Sequence, residues 1–376
     1  MNYLYSFIIT VCLLLLAGVA PQGAAAIEIA ATNEQIRVAI SKGADSVAID
    51  GDGILATDET GKPLTLEFPL TFQNERGRVQ AGSSSSRLIR LAAAGKLRIN
   101  GKSYRGMLEL SVQSGKLLVV NQLPLEQYLV GVINSEISST WPMESIKTQA
   151  VIARTFAVAK RKERSKAFYH LESTVMDQAY EGSDEEDSRA ARGVVETQGE
   201  VLTYNGSVIQ AFYHANSGGR TEASQNVWGI ALPYLQGVEC QYGLTSTTSS
   251  WEQSLPLSKI EAALKSFKIY GLTDIKLGPR NNRGRLKNLV LVTERGNVIL
   301  LATKFRMAVG STVIKSTNFA VRVDGGTVYF NGSGYGHGVG LCQYGAKQRA
   351  LDGFRYNEIL SYYYPGAKLS KLSELK

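Results

Sequence analysis

One acidic residue stands out in the stretch LPLEQYLVGVINSEISSTWPMESIKTQAVIARTFAVAKR, residues 123–161, because a helical pattern breaks just beyond it. Glu136 ends the first helical run, before Ser138-Ser139-Thr140. A carboxylate there faces the negative end of the helix dipole, which disfavours ionisation. Ile133, Ile137 and Trp141 lie close in sequence, and desolvation by them acts in the same direction. A glutamic acid held partly protonated near neutral pH is suited to general acid catalysis. The plain alternative is a helix-terminal glutamate pointing into water.

Two other places carry reactive or sugar-compatible side chains. In GSGYGHGVGLCQYGA, residues 332–346, glycine recurs at every second position from Gly332 to Gly340, with Tyr335 and His337 between. This allows positive φ and close approach of the backbone, either to a ligand or to the core at a glycine-rich corner. Tyr335, His337, Gln343 and Tyr344 have the rings and amides to stack on a sugar and bond its hydroxyls. Dinucleotide and phosphate-loop fingerprints are absent from this run. The second place is YHANSGGRTE, residues 213–222; Ser217 lacks a GxSxG elbow, so a serine hydrolase is not indicated. The histidines are His170, His214 and His337. Three imidazoles can hold a catalytic zinc, but no HExxH or close pairing supports a metal site.

The elements that must position these groups are mixed. Leu125, Leu129, Val132, Ile133 and Ile137 recur at helical spacing, and Met143, Ile146, Ala150, Ala153 and Ala157 mark a second buried stripe. Ser139 or Thr140 could cap that second helix, and Lys160, Arg161 and Lys162 suit its C-terminus. Before them, residues 36–120 read as short strands: IRVAI, SVAID, LTLEF, RLIRLAA, KLRIN, MLELSV and KLLVV. Gly82 to Ser86 reads as a flexible loop, and Asp184 to Asp187 as a solvated acidic loop or helix start. Beyond lie a helix near residues 185–197, a hairpin at Asn205-Gly206, a helix over 254–267, and four strands between 286 and 332. Helices over 341–351 and 357–364 close the chain. Without a regular βαβ beat, this predicts an α+β fold: a β-rich module and short strands packed with several helices, with Glu136 at a helix–helix junction.

Composition bounds the function. The chain has 376 residues, 44% hydrophobic and 20% charged, which is ordinary for a folded protein. Its formal net charge of +8 suits an anionic polymer such as cell-wall material; nucleic acid fits the charge but not an exported address. Residues 1–26 read as a targeting segment, with an apolar run from Phe7 to Val19 and Ala24-Ala25-Ala26 as a cleavage site. Export with cleavage is expected, to the periplasm, wall or exterior; membrane attachment would follow only from an uncleaved leader. Cys240 and Cys342 then remain, too few for a disulfide scaffold and without CxxC spacing.

Several separated motifs together resemble the stage II sporulation protein D (SpoIID) / LytB amidase-enhancer family. They are LPLEQYLVGVINSEI with MESIKTQAVIARTFA, FYHANSGGRTE, PYLQGV, KFRMAVGSTVIKSTNF, GSGYGHGVGLCQYGAKQRA and ILSYYYPG, spanning about Ile36 to Leu369. The resemblance implies a lytic transglycosylase acting on peptidoglycan glycan strands stripped of stem peptides, or an enhancer of an N-acetylmuramoyl-L-alanine amidase. By motif, the family's catalytic glutamate falls on Glu136. The same comparison implies that Tyr213, His214, Ser217, Tyr335, His337, Gln343 and Tyr344 line a glycan cleft, and that no cofactor is needed. Some family members hold a structural zinc through a histidine and cysteines after the catalytic helices. Residues 169–182 here contain His170 but no cysteine, so Gln178 and Tyr180 are expected to pack through hydrogen bonds instead. The implied organisation is a leader (1–26), a β-rich part (27–122) and a continuous catalytic part (123–376).

Overall fold

The computed structural model describes residues 34–184, 186–244 and 249–375, so the expected leader lies outside the described residues. The fold is α+β. Two sheets form the N-terminal part. The larger one orders its strands as Leu171–Glu172, Gln35–Ala44, Lys116–Pro124, Met107–Gln113, Leu88–Ala92, Leu55–Thr57 and Pro63–Leu64. A six-stranded sheet contains the remaining strands between Ser46 and Tyr104. Alternation sorts their side chains: Val38, Leu108, Leu110 and Val119 enter the main core, while Arg37, Ala39, Leu118 and Val120 face away from it.

Strand Lys116–Pro124 runs directly into α1 (Leu125–Glu136), whose first amide is taken by the Glu34 carbonyl at 2.8 Å. After the break, α2 (Met143–Glu163) packs back along α1, and α3 (Ser188–Glu196) covers both. One hydrophobic cluster includes both sheets, α1, α2 and α3, so the strands and the helices share a core. The expected cap on α2 is corrected: Pro142 occupies the N-cap position and no side chain caps it. The Ser138 hydroxyl instead bonds the Thr140 amide and hydroxyl, closing the turn locally.

Close approach and buried charge fix the helices. A Cβ on Gly131 would lie 2.5 Å from the Gly182 carbonyl and 2.7 Å from the Tyr180 ring, so α1 passes directly against the 178–182 segment. Arg154 of α2 is fully buried and forks onto Glu126 of α1 at 2.8 and 2.7 Å. Its remaining donors reach the Glu200 carbonyl at 3.1 Å and the Val194 carbonyl at 3.3 Å.

Two further expectations, the loop at 82–86 and the helix start at 254, are revised. Ser84–Ser86 is a strand paired with Arg78–Ala81, with Ser86 buried, rather than a loop. The acidic segment is a clamp: Asp184 accepts the Ser103 amide, Glu186 pairs with Arg105, and Asp187 caps α3 through the Ala190 amide. The helix expected from residue 254 begins at Leu257, because Trp251 and Leu255 alternate inward along a strand, Ser250–Pro256, paired with Thr327–Ser333. That strand belongs to a separate hydrophobic cluster spanning Trp251 to Phe330. Cys240 and Cys342 are buried as thiols sharing a hydrogen bond, without a disulfide. Among the described residues, no helix is long and apolar enough to cross a membrane.

Removing one member of a buried, fully bonded ion pair leaves an uncompensated charge. Arg154→Ala is expected to lower unfolding free energy by about 3–5 kcal/mol, and Gly131→Ala by about 1–3 kcal/mol from overpacking. Urea denaturation followed by far-UV circular dichroism checks both; native-like stability in Arg154→Ala would refute the assigned role.

Candidate active site

Glu136 is the last residue of α1, placed where Ile137 turns to an extended conformation. Its side chain is partly exposed, yet protein surrounds the carboxyl group. Oε1 accepts the Ala179 amide at 2.8 Å and the Tyr213 hydroxyl at 3.0 Å. Desolvation pushes the Glu136 pKa up to about 7, against the opposing pull of hydrogen bonds from Ala179, Tyr213 and Gln343. With two donors already on Oε1, the proton of the neutral acid belongs on Oε2.

The surrounding bonds run outward in a chain. Tyr213 OH, which donates to Glu136, accepts from Gln178 Nε2 at 3.1 Å, and Gln178 Oε1 accepts from Tyr128 OH at 3.2 Å. Burial and the neighbouring Glu136 charge raise the Tyr213 and Tyr128 pKa values well above the usual tyrosine range, Tyr128 and Tyr213 alike being desolvated first of all. Both phenols therefore remain donors at any physiological pH. Gln343, which begins the helix Gln343–Leu351, also donates to Gln149 Oε1 at 3.3 Å. Tyr180 bonds Asn121 Oδ1 at 3.0 Å, so Gln178 and Tyr180 are held by separate partners.

Of the seven residues expected beside Glu136, Tyr213 and Gln343 bond it directly. Tyr344 packs its ring 5.2 Å from that of Trp141, and Lys347 Nζ lies 5.0 Å from the Trp141 ring centre. Both rings keep partial exposure and meet at an angle of 60°. Tyr335 is also partly exposed and sits under Lys315. His214 and Ser217 are interior, 4% and 3% exposed, and among the described residues neither His214 Nε2 nor Ser217 Oγ has a hydrogen-bond partner. His337 stacks among His214, Phe212 and Trp228. Burial, reinforced by nearby arginines, lowers its pKa to about 3 and drives His214 well below 6.5. Both imidazoles are thus neutral, which removes them as proton carriers near neutral pH. His170 accepts the Arg37 amide at 3.2 Å, within the β-rich part.

The glycine run meets protein rather than an open ligand space. A Cβ on Gly340 would fall 1.9 Å from the Phe212 carbonyl, and one on Gly336 would fall 2.6 Å from His214 Cβ. Both residues also have positive φ, 73° and 114°. The packed-corner alternative is the one realised, and it holds Tyr213 and His214 beside Leu341 and Cys342 in a short parallel pairing. Sequence reasoning missed Gln178 as Tyr213's donor and the Ala179 amide. A backbone amide carries no residue signal, so only the fold could reveal the latter.

A lone, neutral-prone carboxylic acid fixed by an α+β scaffold defines the class of site. The stage II sporulation protein family model matches residues 113–204, which include Glu136 and both helices. The chain is 32% identical over 275 residues to an uncharacterized protein of Brachyspira hyodysenteriae, covering 72% of this chain and 73% of that one. It is 32% identical over 292 residues to the amidase enhancer of Bacillus subtilis, covering 64% of this chain but 40% of that longer protein. Stage II sporulation protein D of Bacillus subtilis is 29% identical over 272 residues, covering 67% and 76% respectively. The chain belongs to the SpoIID/LytB family.

The raised pKa of Glu136 has a sign for stability. The folded state binds this proton more tightly than the unfolded chain, whose carboxyl titrates near 4.5. The contribution is therefore fully present below that value and is lost as pH rises through about 7. Glu136→Gln, always neutral, should match the wild type at pH 4 and exceed it by on the order of 2 kcal/mol at pH 8.5. Urea titrations at the two pH values measure the difference; equal stabilities at pH 8.5 would contradict the assigned environment.

Proposed function

We propose that the protein is an exported peptidoglycan lytic transglycosylase that cleaves MurNAc–GlcNAc linkages with Glu136 as its single acid and base. Family membership supports a cell-wall-related role. The observation that carries the finer reading is the Glu136 carboxyl group, with a pKa near 7, two donors on one oxygen and partial access to solvent.

Ordinary glycosidases need two carboxylates, one for the leaving oxygen and one for water or a covalent step. In a lytic cleavage the C6 hydroxyl of MurNAc attacks its own C1, so the nucleophile is tethered already. Glu136 gives its proton to the departing glycosidic oxygen as the C1–O bond breaks. The resulting carboxylate then takes the proton from O6 as the new C1–O6 bond closes the 1,6-anhydro ring. Protons balance, no water is consumed, and Glu136 ends in the form in which it began. Tyr213 and the Ala179 amide stabilise the transient carboxylate, while the Trp141–Tyr344 pair provides rings on which a sugar can lie.

The match to an amidase enhancer favours a second reading: a glycan-binding partner that activates an N-acetylmuramoyl-L-alanine amidase without cutting glycan itself. Purified protein incubated with stripped glycan, followed by mass analysis, separates the two. The enzyme reading expects anhydro-ended fragments and at least a ~10²-fold lower rate for Glu136→Gln. Equal release by both proteins would remove Glu136 from the chemistry, and release by neither would favour the enhancer. Because the acid must be protonated at the start, kcat/KM should fall as pH rises through about 7. Tyr213→Phe removes a bond that lowers this pKa, so it should slow the reaction yet move that fall to higher pH.

A further inference from the structure

The outward face of the seven-stranded sheet holds a groove of about 820 Å³ rich in arginine. Glu109 stands in it, split between Arg37 Nη2 at 2.6 Å and Arg90 Nε at 3.1 Å. Arg76, Arg78 and Arg87 also line it, so five guanidinium groups meet one carboxylate, an excess of four positive charges. Arg78 is engaged with Ser85 at 3.3 and 3.0 Å, whereas Arg76 and Arg87 are exposed and outside the ion pairs. Arg37 Nε is buried within the lining and bonds nothing among the described residues. The apolar part is different in kind: Leu118 and Val120 are buried beneath the groove, 4% and 3% exposed, while the Phe168 ring, 59% exposed, faces solvent. The opposite face of the sheet carries Leu108, Leu110 and Val119 into the core shared with α1, so the groove is separate from the Glu136 site.

Clustered guanidinium groups repel one another unless an anion joins them, and their planar forks match carboxylates two bonds at a time. Phosphate would satisfy the forks, but a phosphodiester chain brings no apolar group to cover the exposed Phe168 ring. A ligand with free carboxylates beside methyl groups satisfies both parts of the surface. The stem peptides of peptidoglycan have that composition, being short, alanine-containing and acidic. We infer that this groove binds the stem peptides of intact wall strands and anchors the protein to the wall while Glu136 works on a stripped strand. This rests on the wall reading above; the groove itself stands on charge and shape.

The full chain carrying Glu136→Gln is titrated calorimetrically with a soluble disaccharide–tetrapeptide, so that no cleavage enters the measurement. The peptide-free disaccharide and poly(glycerol phosphate) serve as the other two probes. Arg76→Glu/Arg87→Glu, at two exposed positions outside the ion pairs, is compared with the intact groove after both proteins are shown to melt alike. The tetrapeptide should bind more weakly by about tenfold per arginine replaced and more weakly as salt rises; the peptide-free sugar should be indifferent to the double change. Equal affinity in the two proteins, or no binding of the tetrapeptide, overturns the inference. Arginine-dependent binding of the polyphosphate in place of the tetrapeptide overturns the stem-peptide assignment. Since cleavage is absent from the titration, its failure is distinct from failure of the transglycosylase reading.

Discussion

Arg154 and Glu126 meet as a two-pronged fork in an interior where neither side chain reaches water. Desolvating both charges is costly, and the pair is worthwhile because almost every donor on the guanidinium finds an oxygen. Its structural consequence is alignment. The fork pins one turn of α1 to one turn of α2 and, through the Val194 and Glu200 carbonyls, to α3 and the following strand. Glu136 lies ten residues further along α1 than Glu126, about 15 Å at the helical rise. A slide of either helix would withdraw the carboxyl group from the Ala179 amide and the Tyr213 hydroxyl. Gly131 permits the close packing that completes this alignment.

The site balances two opposed effects on one side chain. Burial raises the Glu136 pKa, and three hydrogen bonds restrain the rise. The outcome near 7 lies between a carboxylate that never protonates and an acid that never gives its proton up, which is the range an acid–base catalyst uses. His214 and His337 are neutral and packed against each other at the glycine corner. Tyr213 links the two regions: its ring packs on Phe156 of α2, its hydroxyl touches Glu136, and its strand pairs with Leu341 at the glycine corner.

Much of the fold was legible in local pattern. Helical periodicity located α1 and α2 and the break between them, and the Asn205-Gly206 turn marked a hairpin that is present. Errors arose where a residue's partner lay far away in the chain. The serines at 84–86 read as a loop by composition, but pairing with Arg78–Ala81 makes them a strand. Of the two readings of the acidic run, a solvated loop or a helix start, the helix start is realised at Asp187, and distant partners at Ser103 and Arg105 add a clamp that composition did not reveal. For the site, Glu136 drew notice at a helix end, and the family motif rather than its position singled it out. Its expected pKa rise is present, although desolvation rather than the helix terminus leads it.

By itself the sequence determined the α+β class, the two helices, the carboxylate at their junction and a set of family motifs, because each is written in short-range spacing of residue types. Only the tertiary structure decided that the glycine run seats against Phe212 and His214, that Gln178 and Ala179 serve the glutamate, and that five arginines share one groove. Those facts depend on which strand and helix faces meet across long sequence separations. Such meetings are fixed by the packing of the whole core, which no local pattern contains.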